Sequence, residues 1–359
     1  MNKPKYPSIL IISKNFDVGG TETHIRTLAN KLVVQGYKVF VGSNTGRQCK
    51  CLHKSVTFVS FNFNFLSFIP NLYKIKKLID DHNIELIHAH SRRAISFGAI
   101  ASFLFQAPLV VTVHGRVKYD LRSWFARLKA ARVILVNHNT YKDIEDWPLL
   151  GKKSIAIANG SDVNKYPHNH SDEKISFAYV SRVNRKHYKA LCFLIEIFSS
   201  QKIQGAAKLM IIGDGDCFLE LKNKILPKYQ NINIEGYQSR PADLMNKVDV
   251  VIGVGKVAID GLYSGKAVYT LNGAYRGKLV NDINFTSLRD SNFVNIGDQP
   301  PSYAHIKEDI ENIITLAKKR ELLKSTWISP EKIQLLSINN QISATTHLYQ
   351  EVLTAAKNY

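Results

Sequence analysis

The run Asp17-Val18-Gly19-Gly20-Thr21-Glu22-Thr23-His24 follows an apolar segment and precedes a helical one. Two glycines at a strand-to-helix turn let an anion approach the backbone, and the first amides of the helix point at it. The spacing is not the Gly-x-Gly-x-x-Gly of a dinucleotide loop, so the chemistry suggested is phosphate binding of some other kind, or a tight turn. His88 and His90 alternate along one strand and share a face. No third ligand is suggested beside them, so they are expected to be polar residues at a strand end and no metal site is predicted. A third cluster is aromatic and basic: Phe58 to Phe68, with Phe61, Phe63 and Phe65 alternating, runs into Tyr73-Lys74-Ile75-Lys76-Lys77. A second such stretch spans Arg116 to Arg127. Aromatic anchors beside cations suit an anionic membrane surface, and an alternating aromatic strand with one buried face fits the first stretch equally well.

These residues need elements to hold them. The chain has 359 residues, 45% hydrophobic and 21% charged, which is enough for two ordinary globular domains. Short apolar runs alternate with helical patterns from Ser8 onward, the arrangement of a parallel, doubly wound sheet. The alternation pauses at the polar stretch Pro167 to Lys174 and restarts at Ile175. Two Rossmann-like domains are therefore expected, residues 1–168 and 169–339. A C-terminal helix at about 340–359 is expected on the spacing Leu335, Ile338, Ile342, Leu348, Val352, Leu353. Ala94 to Val113 carries no charge, but Gln106-Ala107-Pro108 interrupts it, so a buried helix and then a buried strand are expected rather than a membrane span. Cys49, Cys51, Cys192 and Cys217 lack zinc-knuckle spacing and suggest a reducing, cytoplasmic setting without disulfides.

Residues 1–170 hold 24 Lys and Arg against 10 Asp and Glu, so most of the net charge of +19 sits in the first half. That excess predicts an anionic partner: phosphates, an acidic membrane surface or nucleic acid. Nucleic acid is disfavoured, since no helix-turn-helix, zinc finger, RNA-recognition signature or basic tail is present.

Taken in order, five motifs give a resemblance. Gly19-Gly20-Thr21-Glu22, Val113-His114-Gly115, Asn159-Gly160-Ser161-Asp162, Ser181-Arg182 with Lys186, and Gly213-Asp214-Gly215 resemble the retaining glycosyltransferases of family 4, over nearly the whole chain. The resemblance implies an α/β GT-B fold, two domains facing across a cleft with the C-terminal helix crossing back to the first domain, and a nucleotide-sugar donor with no cofactor and no metal. It implies that Arg182 and Lys186, or Lys189 in place of Lys186, neutralise the departing diphosphate, helped by the Gly20 amide. It places His114 near the donor sugar. It assigns Gly19, Gly20, Glu22, Asn159, Gly213, Gly255, Lys256 and Asp260 to substrate binding. One departure stands out. The family's Glu-x7-Glu signature keeps only Asp260 for its second Glu, and Ile252 stands where the first is expected. A catalytically degenerate partner subunit is thus the alternative to an active enzyme. The expected acceptor is a glycan or lipid-linked glycan of bacterial surface polysaccharide, with peripheral contact to the inner leaflet.

Overall fold

The computed structural model describes residues 6–17, 19–64, 66–115, 126–142, 144–147, 149–164, 174–225, 229–294 and 299–357. Phe65, most of the second basic aromatic stretch and most of the expected linker lie outside the described residues. The chain divides into two compact units. One is Met1–Asn159 with Asn339–Tyr359, and the other is Gly160–Ile338.

The first unit is built on seven parallel strands. They are β1 (Ser8–Ile12), β2 (Lys38–Ser43), β3 (Thr57–Ser60), β4 (Ile84–His90), β5 (Leu109–Val113), β6 (Arg132–Leu135) and β7 (Ser154–Ala156). Their order is β3-β2-β1-β4-β5-β6-β7. The chain winds one way from β1 and returns to the other side of it at β4. Ligands in open parallel sheets bind beyond the carboxyl ends at such a reversal. In register, Ile12 of β1 lies beside Ala89 of β4, and His90 beside Thr112 of β5. The ends of these three strands therefore share one edge of the sheet. Helices α1 (Gly20–Val34), α2 (Phe68–His82) and α3 (Arg92–Phe105) follow β1, β3 and β4. The uncharged stretch from Ala94 resolves into α3 and β5, as its Gln-Ala-Pro break suggests. Among the described residues no helix is long and apolar enough to cross a membrane.

Of the alternating aromatics, Phe61 and Phe63 belong to the core. Phe61 is buried, Phe63 meets Phe61 and Phe97 edge-on, and Phe68 packs on Phe97. The exposed apolar residues nearby are Leu66 at 84%, Ile69 at 76% and Tyr73 at 70%.

The second unit has five parallel strands: β8 (Ile175–Val180), β9 (Ala207–Ile212), β10 (Ile232–Gly236), β11 (Val250–Ile252) and β12 (Ala267–Tyr269). Their order is β10-β9-β8-β11-β12, so the reversal falls between β8 and β11. Helix α4 (Arg185–Phe198) follows β8 and α5 (Lys256–Tyr263) follows β11. All six residues of β8 are buried, as expected of a central parallel strand covered on both faces.

The last helix, α6 (Ile338–Lys357), belongs almost wholly to the first unit. Ile342, Leu348 and Val352 are buried along it, and so is Tyr349, whose hydroxyl is hydrogen-bonded to His88 Nδ1 at 2.6 Å. Tyr349→Phe would strand that buried nitrogen. A loss of about 1–3 kcal/mol is expected, seen as a lower urea midpoint with unchanged slope.

Candidate functional site

In the first unit, the turn after β1 enters α1 through Gly19, whose φ of 155° and ψ of 169° suit only glycine. The Gly19 carbonyl accepts from Thr23 N at 3.0 Å, closing the first helical turn. A side chain on Gly20 would meet no atom within 4 Å, so the space beside the helix start is open. Glu22 stands in that first turn, where a carboxylate is stabilised by the helix dipole.

His24 falls on the buried face of α1 with Ile25 and Leu28, and so points at the sheet. It joins two other histidines. Rings of His24 and His114 meet edge-on with centroids 4.7 Å apart, and His90 and His114 stack at 5.3 Å. His90 Nδ1 lies 3.0 Å from His114 Nε2. His24 Nδ1 lies 2.9 Å from the Asn159 side-chain oxygen. Behind them His88 is satisfied at both nitrogens, by Tyr349 and, at 2.7 Å, by Thr112 Oγ1. The ring nitrogens of His24, His90 and His114 lie within 4.8 Å of one another, which corrects the expectation that His90 has no companions. Three imidazoles are the residue types of a zinc site; here His90 Nδ1 and His114 Nε2 lie within hydrogen-bond distance of each other. His90 and His114 are both held well below the usual imidazole pKa, by burial first and by the neighbouring histidines second. His90 and His114 are therefore neutral rings, hydrogen-bonded to each other at the reversal of the sheet.

In the second unit, Ser181, Arg182 and Val183 form the turn between β8 and α4, and Asn184 caps α4 by accepting from His187 N at 3.3 Å. Arg182 and Lys186 are exposed, and burial together with their two charges lowers the pKa of His187. Both cations thus lie near His187, in the first turn of α4. Lys189 is turned along the helix, its ammonium 5.6 Å from the Phe193 ring. Arg185 pairs with Glu220 at 3.3 Å.

The glycines of Gly213-Asp214-Gly215 have a backbone reason. A Cβ on Gly213 would lie 1.8 Å from the Ser181 carbonyl oxygen, and one on Gly215 would lie 2.4 Å from that of Val183. Gly213 also sits at φ +149°. The two glycines let the loop after β9 close against the turn that carries Arg182. Gly213→Ala is expected to push that turn aside, lowering Tm by roughly 5 °C or more and reducing activity along with it. Circular-dichroism melting checks the first part.

After β11, Gly255 turns the chain at φ +60° and Lys256 starts α5. One turn on, Asp260 Oδ1 is paired with the Lys256 ammonium and accepts from Ser161 Oγ at 2.6 Å. Sequence reasoning placed Lys256 and Asp260 separately on the substrate; in the structure Lys256 neutralises Asp260. It also missed Ser161, although Ser161 stands inside the quoted Asn159-Gly160-Ser161-Asp162 turn. That turn serves each unit by a different residue: Asn159 binds His24 and Ser161 binds Asp260. Gly160 has no room for a side chain, its Cβ position lying 2.6 Å from Ile338 Cα. A cavity of about 490 Å³ in the second unit, lined by Arg276, Lys278, Asn284, His305 and Asp309, includes none of the expected residues.

Comparison with known proteins places this geometry. Residues 18–165 match Glycosyltransferase Family 4. No curated protein matches the chain. Among solved structures, HepE of Anabaena in complex with UDP and glucose is 18% identical over 96% of this chain and 100% of that one, with a TM-score of 0.72. Sucrose-phosphate synthase of Thermosynechococcus elongatus is 15% identical over 97% and 100%, with a TM-score of 0.69. The lipopolysaccharide outer core galactosyltransferase WaaB is 12% identical over 94% and 99%, with a TM-score of 0.59. At these identities the likeness shows the fold, and two all-parallel α/β units in this order are the GT-B fold.

Proposed function

Taking residues 18–165 as a glycosyltransferase family 4 module in a chain of GT-B fold, we propose that the protein transfers a sugar from a UDP-sugar to a glycan or lipid-linked acceptor, with retention at the anomeric carbon. The observation that carries this reading is the pair Arg182 and Lys186, two exposed cations at the end of the central strand where the second sheet reverses. A departing diphosphate gains negative charge as its bond to the sugar breaks. Cations fixed in advance lower that barrier without reorganising. Gly213 and Gly215 brace the turn that holds Arg182. Asp260, set by Lys256 and Ser161, keeps its second oxygen for ribose hydroxyls. In the first unit the open backbone at Gly20 and the partly exposed His114 serve the sugar and its acceptor. HepE was solved with UDP and glucose, which favours a uridine donor.

WaaB acts in lipopolysaccharide outer core synthesis, which favours a surface-polysaccharide acceptor here. Such an acceptor would hold the protein at the cytoplasmic face of the membrane. Leu66, Ile69 and Tyr73 stand exposed beside Lys74 and Lys77, while Lys76 is paired with Asp80. Each exposed lysine near an anionic leaflet is worth about 1 kcal/mol. Flotation with anionic vesicles at low salt is expected to carry the protein upward; a protein left at the bottom refutes this attachment.

The enzyme reading is tested by UDP release from a panel of UDP-sugars, with the product anomer read by NMR. A second reading has its own observation: the first Glu of the family signature is absent and Asp260 is held inside an ion pair. A degenerate partner subunit would bind UDP and release none from any UDP-sugar, whereas slow donor hydrolysis alone rules it out.

A further inference from the structure

We infer that His90 is a positioning residue that fixes the proton of His114 on Nδ1, so that His114 works as a neutral hydrogen-bond donor and not as a base. His90 is the last residue of β4 and fully buried. Its Nδ1 faces His114 Nε2 at 3.0 Å, so one proton lies between two imidazoles. Each neutral ring carries one N–H, and whichever ring donates here decides what both rings present elsewhere.

There are two cases. If His114 donates from Nε2, the proton of His90 must sit on its own Nε2. That nitrogen is buried and has no partner, so an N–H would be stranded inside the protein. If His90 donates from Nδ1, its Nε2 is a bare lone pair in the same place. Buried orphan N–H groups are the rarer of the two in folded proteins, so the second case prevails. A third arrangement, with both rings fully protonated on one side, needs an imidazolium. Burial and three neighbouring histidines disfavour it.

With Nε2 of His114 accepting from His90, its proton is on Nδ1. The His114 ring is only partly buried, and among the described residues Nδ1 has no hydrogen-bond partner. It is the nitrogen left for a ligand. His24 holds the ring plane by an edge contact at 4.7 Å and is itself tied to Asn159. A fixed neutral N–H recognises an oxygen lone pair. On the glycosyl-transfer reading, on which this clause alone rests, that oxygen is a hydroxyl of the transferred sugar or of the acceptor. His114 then takes no proton from the attacking hydroxyl.

The proton can be read directly. In full-length protein with 15N-labelled histidine, chelator present and at neutral pH, two-bond 1H–15N spectra distinguish the two tautomers. His114→Gln and His90→Asn spectra assign the signals. The Nδ1–H pattern is expected for both His90 and His114, and an Nε2–H pattern at His114 overturns the inference whether or not the protein proves to be a transferase. Kinetics supply the second arm. His90→Asn keeps an N–H where Nδ1 stood and is expected to retain kcat within a few-fold. His90→Leu is expected to lose kcat by roughly 10- to 100-fold with KM little changed. Equal losses in the two variants contradict a proton-positioning role.

Discussion

Arg182→Ala is expected to lower kcat by roughly 10²- to 10³-fold while leaving the fold intact. Removing one donor aimed at developing charge costs about that much in other enzymes, or roughly 3–4 kcal/mol. Arg182 is exposed at a strand end, and the β8 core beneath it is apolar and closed, so truncation opens no cavity. Lys186→Ala is expected to act in the same direction, and the double variant by less than the product of the two, since on the proposed reading both cations meet one diphosphate. Lys189→Ala is expected to do little, because its ammonium is turned to Phe193. Steady-state UDP release, with melting curves to confirm folding, checks all four. A Lys189 variant as damaged as that of Lys186 would move the clamp one turn along α4.

Acidification is expected to destabilise the first unit strongly. Burial, with the charge of His24 second, lowers the pKa of His88 to about 3, against an ordinary value of 6.5. The ring is enclosed by Tyr349 of α6, Thr112 of β5 and His90 of its own strand. An unfolded chain therefore binds a proton here that the folded chain refuses between these two values. Stability from this group is complete above about pH 6.5 and falls as pH drops below it. At pH 5 the loss from His88 alone is about 2 kcal/mol. His90 and His114 are shifted the same way and add to it. Urea titrations at pH 7 and pH 5 measure the total, and His88→Gln is expected to flatten the difference by about that 2 kcal/mol. Equal stability at the two pH values would mean that these rings are protonated in the fold or reach solvent.

Much of this was readable in the residues. The run Ile175 to Val180, apolar or aromatic at every position but Ser176, is β8. The break at Gln106-Ala107-Pro108 separated α3 from β5. The histidine stack was not readable, because His24, His90 and His114 come from three elements whose meeting depends on the strand order β1-β4-β5. Local pattern carries no information on which strands become neighbours. The Lys256–Asp260 pair was legible as an i, i+4 pair of opposite charges on one helix face. The aromatic run was legible in one of its two readings: alternation marks one buried face, and Phe63 on that face meets Phe97 of α3.

The central claim is that Arg182 and Lys186 hold a nucleoside diphosphate. Calorimetric titration of UDP into the wild-type chain and into the Arg182→Ala, Lys186→Ala double variant tests it most directly. One saturable site in the wild type, weakened at least tenfold (about 1.4 kcal/mol) in the variant, is the expected result. UDP binding of equal strength in both proteins, or none in either, contradicts it.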